Sequence, residues 1–384
     1  MVTHRLVQSG KVLLLLSVIL LSCAPRFEGV PEGYKKPLRE AFNRAGSNRD
    51  LLLSVIDDLQ GEKKVAAAFL IMNMPTVDLT SIDENTLSDN IEFAFKAKEE
   101  FPWGKNQSRE LFLHYVLPHR ISQEPLENWR PYFYEQLRPV VESCSTAYQA
   151  ALAVNRWCGE KVKFKQTQPR DQGPFETLAS GYGRCEEMVI FFVDACRGVG
   201  IPTREAWTPY WATCDNNHAW AEVCCEGKWY YTGACEPKDS LNDAWFSKSV
   251  KRAALVFSKP YGVPESEPGL YFDREGDWRI NSTDVYLESG QVNISLRREG
   301  RPVPDCEIRF ASLRPIAKVK TDREGRCSFK LGGGTYLVSA GDNANPLWEV
   351  AKIERGRTTE LKLDFASPPN PVKFCLNYPP EEKS

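Results

Sequence analysis

The stretch Ser180-Gly181-Tyr182-Gly183-Arg184-Cys185-Glu186-Glu187 runs straight into the apolar segment Met188-Val189-Ile190-Phe191-Phe192-Val193. Val189, Phe192, Cys196 and Val199 recur at helical spacing, and Met188, Phe191 and Ala195 widen that face, so the spacing predicts a helix over 186–199. Gly198, Gly200 and Pro202 end it. Gly181 and Gly183 let the backbone turn sharply into the helix. Cys185 at its start would face unpaired N–H groups and the positive end of the helix dipole, and both favour thiolate. The same N–H groups can bind an oxyanion. Arg184 adds positive charge, whereas Glu186 and Glu187 oppose it unless they point outward. The alternative for Cys185 is a buried structural cysteine or one half of a disulfide.

Downstream, Thr203–Trp207 and His218–Cys225 alternate as strands, and Trp229–Thr232 returns as a hairpin partner. His218, Trp220 and Glu222 share one strand face. Beyond residue 23 the histidines are His114, His119 and His218, and His218 alone follows Cys185. A neutral imidazole near a thiol can take its proton and later protonate a leaving amine; the alternative is a half-exposed strand histidine. A third group should orient the imidazole, and its identity depends on the turn at Glu226-Gly227. A two-residue loop pairs Cys225 with Lys228 and puts Cys235 opposite His218. A three-residue loop with Gly227 as a left-handed bulge pairs Cys224 with Lys228 and brings Glu236 to the His218 face. The bulged register is expected, because a type I′ turn would force Glu226 to positive φ. Glu236 is therefore the candidate third member, with Asp215 and Asp239 in reserve.

Upstream, Thr146–Cys158 reads as a helix, Val162 and Phe164 as a short strand, and Gln166–Gly173 as a loop. Residues 33–140 are helical in spacing: Leu51–Leu59, capped by Asn48 or Asp50, then Val65–Met74 and Ile91–Phe101. Leu111–Tyr134 holds His114, His119, Arg120, Glu124, Trp129 and Arg130. It reads either as the lining of a groove or as a surface helix with snorkelling aromatics. From about residue 285 the period changes to two. Gln291–Arg297, Cys306–Phe310, Arg326–Leu331 and Thr335–Ala340 alternate between Gly, Pro and Asp turns, the pattern of a small β-sandwich. It loosely resembles carboxypeptidase-regulatory-like or prealbumin-like domains of exported proteins.

At the N-terminus, His4, Arg5 and Lys11 precede an apolar run, Val12–Leu21, broken only by Ser17 and followed by Ser22-Cys23. The run is too short to span a bilayer comfortably and has the form of a signal peptide. It resembles a bacterial lipoprotein signal whose cleavage leaves Cys23 as the lipidated first residue; an ordinary secretory signal is the alternative. Export would place the other eleven cysteines in an oxidising compartment, where an odd number suits one free thiol plus some disulfides. Acids and bases nearly balance, 51 against 49, with no sustained basic stripe, so no nucleic-acid partner is implied. No cofactor is expected. The cysteine spacings are not C-x-x-C, and Cys224 and Cys225 would point to opposite strand faces, which leaves a metal site as the weakest reading. No acidic loop supports a calcium requirement.

These residues resemble the transglutaminase-like superfamily, whose core is papain-like. The resemblance covers about residues 146–246 and rests on Glu176-Thr177-Leu178, Gly181-Tyr182-Gly183-Arg184-Cys185, Gly198-Val199-Gly200-Ile201-Pro202-Thr203-Arg204, His218-Ala219-Trp220-Ala221-Glu222-Val223 and Gly227-Lys228-Trp229. It looks like an exported, Bacteroidota-type lipoprotein branch. The family's nucleophile and base fall on Cys185 and His218. Its usual third member, an aspartate four residues after Trp229, meets Gly233 here; either Glu236 substitutes or the triad is incomplete.

Together these readings give an α+β fold: signal 1–23, tether 24–32, helical domain 33–144, papain-like core 145–262, β-sandwich 285–366 and tail 367–384. The superfamily resemblance implies a thiol enzyme acting on amide bonds of peptides, proteins or glycopeptides, by hydrolysis or by transfer to an amine, and the lipoprotein-like signal implies that it is held at the membrane of the bacterial cell envelope through Cys23. Gln166, Gln168, Gln172 and Trp207 are possible oxyanion donors. The competing reading is a non-catalytic surface module with a relic cleft. Oligomeric state is open.

Overall fold

The computed structural model describes residues 27–211, 216–267, 270–312, 314–341 and 347–366. The signal segment, Cys23 and the tail from Ser367 lie outside them. The fold is α+β, helical first and β-rich later. Among the described residues no helix is long and apolar enough to cross a membrane.

The chain divides into two compact units, residues 1–84 and 85–384. In the first, helices Glu32–Arg44, Arg49–Asp58, Gly61–Asn73 and Thr76–Ser81 bury Leu38, Phe42, Leu52, Ile56, Ala67 and Leu70. Asn48 precedes its helix without capping it. Its amide donates instead to the carbonyls of Leu79 (3.0 Å) and Ile82 (2.9 Å).

In the second unit the helices that follow join the core, because their aromatic residues share its apolar cluster. Phe101, Trp103, Trp129, Phe133 and Tyr134 pack with Phe191 and Phe192 of the Cys185–Gly198 helix. The segment 111–134 is neither a groove lining nor a surface helix: His114, His119, Glu124, Trp129 and Arg130 are buried. Arg130 explains why so polar a stretch can go inside. Its guanidinium donates to Asn90 Oδ1 (2.7 Å) and to the carbonyls of Val116 (2.8 Å), Pro118 (3.0 Å) and Arg197 (2.8 Å). A buried charge is tolerated only when its donors are satisfied in this way.

Strand β1 (Lys163–Phe164) pairs in parallel with β2 (Tyr182–Gly183) just ahead of the Cys185 helix. Strands β3 (Thr203–Thr208), β4 (His218–Cys225), β5 (Lys228–Thr232), β6 (Phe257–Ser258), β7 (Leu270–Arg274) and β8 (Asp277–Asn281) form one sheet in the order β5-β4-β3-β6-β8-β7. The Cys185–Gly198 helix lies between this sheet and the Arg130–Val141 helix, buried on all sides from Glu187 to Gly198.

The hairpin between β4 and β5 corrects the expected register. Cys225 pairs with Lys228, so the loop is the two-residue Glu226-Gly227, with φ of 51° and 80°. Both positive φ values define the type I′ turn that matches strand twist. Glu226 is held there by its carboxylate, whose Oε1 accepts from the Ala147 N–H (3.3 Å).

Eight further strands make the sandwich: β9 (Gly290–Arg298), β10 (Arg301–Pro302), β11 (Glu307–Ala311), β12 (Pro315–Lys320), β13 (Arg326–Leu331), β14 (Gly334–Ala340), β15 (Leu347–Ile353) and β16 (Thr358–Asp364). β9 carries β10, β13 and β16, while β12-β11-β14-β15 form the facing sheet. The inner faces bury Val292, Ile294, Leu296, Phe310, Phe329 and Val338. Tyr210, Leu255 and Phe257 of the core join the same apolar cluster, and the Gly332 N–H donates to the Ala254 carbonyl (2.8 Å).

The nine described cysteines, Cys144, Cys158, Cys185, Cys196, Cys224, Cys225, Cys235, Cys306 and Cys327, are free thiols, against the expectation of disulfides among them. Five of them (Cys158, Cys196, Cys224, Cys225 and Cys235) are buried and behave as small apolar residues.

Candidate active site

Gly181, at φ 71°, closes the Pro174–Ser180 helix, and its N–H donates to the Thr177 carbonyl (3.0 Å). The two-residue β2 then delivers Arg184 and Cys185 to the next helix start. Glu187 fixes that start. Its buried carboxylate accepts from the Arg184 N–H (2.9 Å), Thr167 Oγ1 (2.7 Å) and Gln172 Nε2 (2.8 Å), which ties the 166–173 loop to the helix end. Gln172 is thereby occupied structurally.

Cys185 Sγ is approached by the backbone N–H groups of Ala219 and Glu186. The first contact sets the sulfur against the residue that follows His218. Both side chains line a cleft of about 530 Å³, together with Phe164, Gln166, Trp211 and Asn217. Glu236 and Trp245 line it too. Among the four possible oxyanion donors only Gln166 is there; Gln168 offers its carbonyl to Arg184, and Trp207 packs at a tilt against Phe257.

The sulfur donates to Glu186 Oε2 (3.1 Å). Burial, reinforced by that neighbouring carboxylate, pushes the thiol up to about 12. Arg184 gives no relief: its guanidinium is engaged by Asp171 (2.5 Å), Glu187 (3.3 Å) and Glu186 (3.3 Å). The resting thiol is therefore protonated, and the helix dipole does not prevail over desolvation and an adjacent anion.

His218 begins β4 opposite Thr208. Its ring is walled by Trp245 (4.7 Å between ring centres), Phe246 (5.1 Å), Trp220 (5.9 Å) and Trp211 (6.1 Å). Burial pushes it down to about 4, with the Glu186 charge opposing. Nε2 is buried without a hydrogen-bond partner. The neutral ring thus retains a nitrogen free for proton transfer.

Glu236 arrives by a different route from the bulged hairpin. Strand pairing stops at Ala221 and Thr232. The chain then folds back through Cys235 at φ 57°, and the Glu236 N–H donates to the Gly233 carbonyl (3.3 Å). Burial raises the Glu236 carboxyl, while a hydrogen bond from the Trp245 side chain lowers it. The atom nearest to where a β-carbon on Gly233 would stand is Glu236 Oε2. The carboxylate fills the volume a side chain at 233 would need. The reserve Asp239 is exposed and outside the cleft, and Asp215 lies outside the described residues. Trp211, Asn217 and Trp245 were not singled out as site residues from sequence, because no spacing rule marks a loop residue that returns to a cleft. Among the described residues no group of His, Cys, Asp or Glu side chains is placed to hold a metal ion.

Residues 135–234 match the family model described as the transglutaminase-like superfamily. This part of the chain has the transglutaminase-like, papain-like superfamily fold. No curated protein matches the chain. Many solved structures are similar to it, among them the following three. A candidate cysteine protease from Cytophaga hutchinsonii is 14% identical, over 42% of this chain and 61% of that one, with a TM-score of 0.27. The Bacillus anthracis TIE protein is 14% identical, over 43% and 30%, with a TM-score of 0.18. Red sea bream transglutaminase is 9% identical, over 71% and 59%, with a TM-score of 0.28. The match spans less than two thirds of the length of each.

Proposed function

We propose that the protein is a thiol enzyme acting on amide bonds of peptides, proteins or glycopeptides, with Cys185 as nucleophile, His218 as base and Glu236 as the carboxylate of the triad. The observation that carries this reading is the shared cleft: Cys185 Sγ meets the Ala219 N–H, and the free Nε2 of His218 belongs to the adjoining residue. In the reaction, His218 takes the thiol proton as sulfur attacks the carbonyl carbon. The tetrahedral oxyanion collapses, the C–N bond breaks, and the imidazolium gives its proton to the departing amine. The thioester left on Cys185 is resolved by water, giving hydrolysis, or by an amine, giving acyl transfer. The same reading makes the protein an exported member of a Bacteroidota-type lipoprotein branch, anchored in the cell envelope through lipidated Cys23; the Val12–Leu21 run ending at Ser22-Cys23 supports it.

The test compares wild type with Cys185→Ala on peptide and glycopeptide libraries, with and without an amine acceptor. New products from wild type alone are expected. Identical behaviour on every library overturns the enzyme reading. One observation favours the alternative, a binding module with a degenerate cleft: the Cys185 thiol already donates its hydrogen bond to Glu186 rather than to His218. Under that alternative Cys185 reacts with iodoacetamide no faster than an ordinary thiol, and His218→Ala leaves the rate unchanged.

A further inference from the structure

Glu186 lines the cleft directly beside the sulfur. Its Oε2 accepts from Cys185 Sγ (3.1 Å) and its Oε1 from Asn217 Nδ2 (3.2 Å), so one carboxylate bridges the nucleophile and the segment leading to His218. The charge around it is unbalanced. Of the ionisable residues lining the cleft other than the thiol and His218, Glu186 and Glu236 are anionic and Arg184 is cationic. Burial, with Glu186 adding to it, raises the carboxyls of Asp171 on the facing loop and Glu205 on the facing strand, Glu205 to about 7, and the Glu187 carboxylate stands at the helix start. Against these stand two cations, and both are already engaged. Arg184, 3.3 Å from Glu186, is shared with Asp171 and Glu187 and donates to the Arg170 carbonyl (3.0 Å), so one cation serves three carboxylates. Lys259 lies 3.8 Å from Asp277.

The walls add a second, independent feature. Phe164 and Trp245 line the cleft with 61% and 60% of their surface exposed, and the buried Trp211 lines it too. Side chains of this size are normally covered, and aromatic faces next to carboxylates make an environment suited to an ammonium or guanidinium group.

We propose that the cleft selects substrates carrying a positive charge beside the scissile amide, and that Glu186 is the specificity residue which that cation engages, releasing the Cys185 thiol as it does so. The proposal rests on the thiol-enzyme reading and names its substrate class: cationic peptides, with a lysine, an arginine or a free amine near the reacting carbonyl. The salt bridge to the incoming cation replaces the Sγ–H hydrogen bond, so the thiol proton becomes available to His218.

The test needs no known substrate. Cys185 is alkylated with 2-bromoethylammonium, iodoacetamide and iodoacetate, and each rate is divided by that of the same reagent with N-acetylcysteine amide. Wild type is expected to favour the cationic over the anionic reagent by ~10-fold or more. Raising potassium chloride from low to high concentration should shrink that ratio. Glu186→Gln, with its fold checked by circular dichroism, should reduce it to within about threefold and raise the iodoacetamide rate. Equal normalised rates, an anionic preference, or an unchanged ratio in Glu186→Gln overturns the proposal even if Cys185 is fast with all three reagents. Failure of every reagent to label Cys185 overturns the underlying thiol reading, and the proposal with it.

Discussion

A carboxylate can reach one point in space from two positions in a chain. Gly233 has no side chain, and Glu236, three residues later, lays its Oε2 where the β-carbon of residue 233 would be. The two positions are therefore mutually exclusive. Gly233→Asp alone should clash with Glu236 and destabilise the loop. Glu236→Ala should slow Cys185 alkylation by about as much as His218→Ala, and Glu236→Ala with Gly233→Asp should recover at least part of the rate. No recovery, with the fold intact, would show that the Glu236 carboxylate does not act at this place. His218 makes a second residue-scale prediction. Its folded value, about 4, lies below its ordinary 6.5, so the unfolded chain binds more protons between those values. The stability that this neutral ring supplies is complete above pH 6.5 and falls as pH drops toward 4, by a few kcal/mol at most. Chemical denaturation of wild type across pH 7 to 4 should show that decline, and His218→Gln should show less of it.

At the scale of elements, what was legible in the sequence was what repeats. The Cys185 helix, β3, β4 and the alternating strands of the sandwich follow from periodicity, because one face of each is buried. The hairpin register was misjudged because it depends on the cost of positive φ at Glu226, a local penalty that the fold overrides. The compensating contact, Glu226 with Ala147, joins residues far apart in the sequence. Leu111–Tyr134 failed for a related reason. Burying Arg130 needs acceptors from three separate segments, the Asn90 side chain and the carbonyls of Val116, Pro118 and Arg197, and no local rule foresees such a convergence. The bulged register predicts Glu236 on the His218 face, yet Glu236 enters the cleft through the Gly233–Cys235 turn. Trp245 left no trace in any pattern, since its place is set by the fold of a loop rather than by a repeat.

For the molecule as a whole, the sandwich is not an independent appendage. Tyr210, Leu255 and Phe257 of the core contribute to its apolar interior, and a β-carbon on Gly332 would run into the Ala253 carbonyl oxygen. Gly332→Ala should therefore lower the melting temperature of both parts together, at a cost of about 1–3 kcal/mol. Separate melting of the sandwich, with the core transition unmoved, would contradict this. The Glu226-Gly227 turn has a comparable reach. Glu226 is tied to the first residue of the Ala147–Lys161 helix, and Gly159 near the other end of that helix sits so close to Pro237 and the Cys235 carbonyl that a β-carbon there would collide with both. An exposed hairpin tip is ordinarily the part of a protein that accepts an epitope tag or an evolutionary insertion. Here one added residue would disturb both ends of a single rigid spacer, so natural length variation and engineered fusions should avoid this tip.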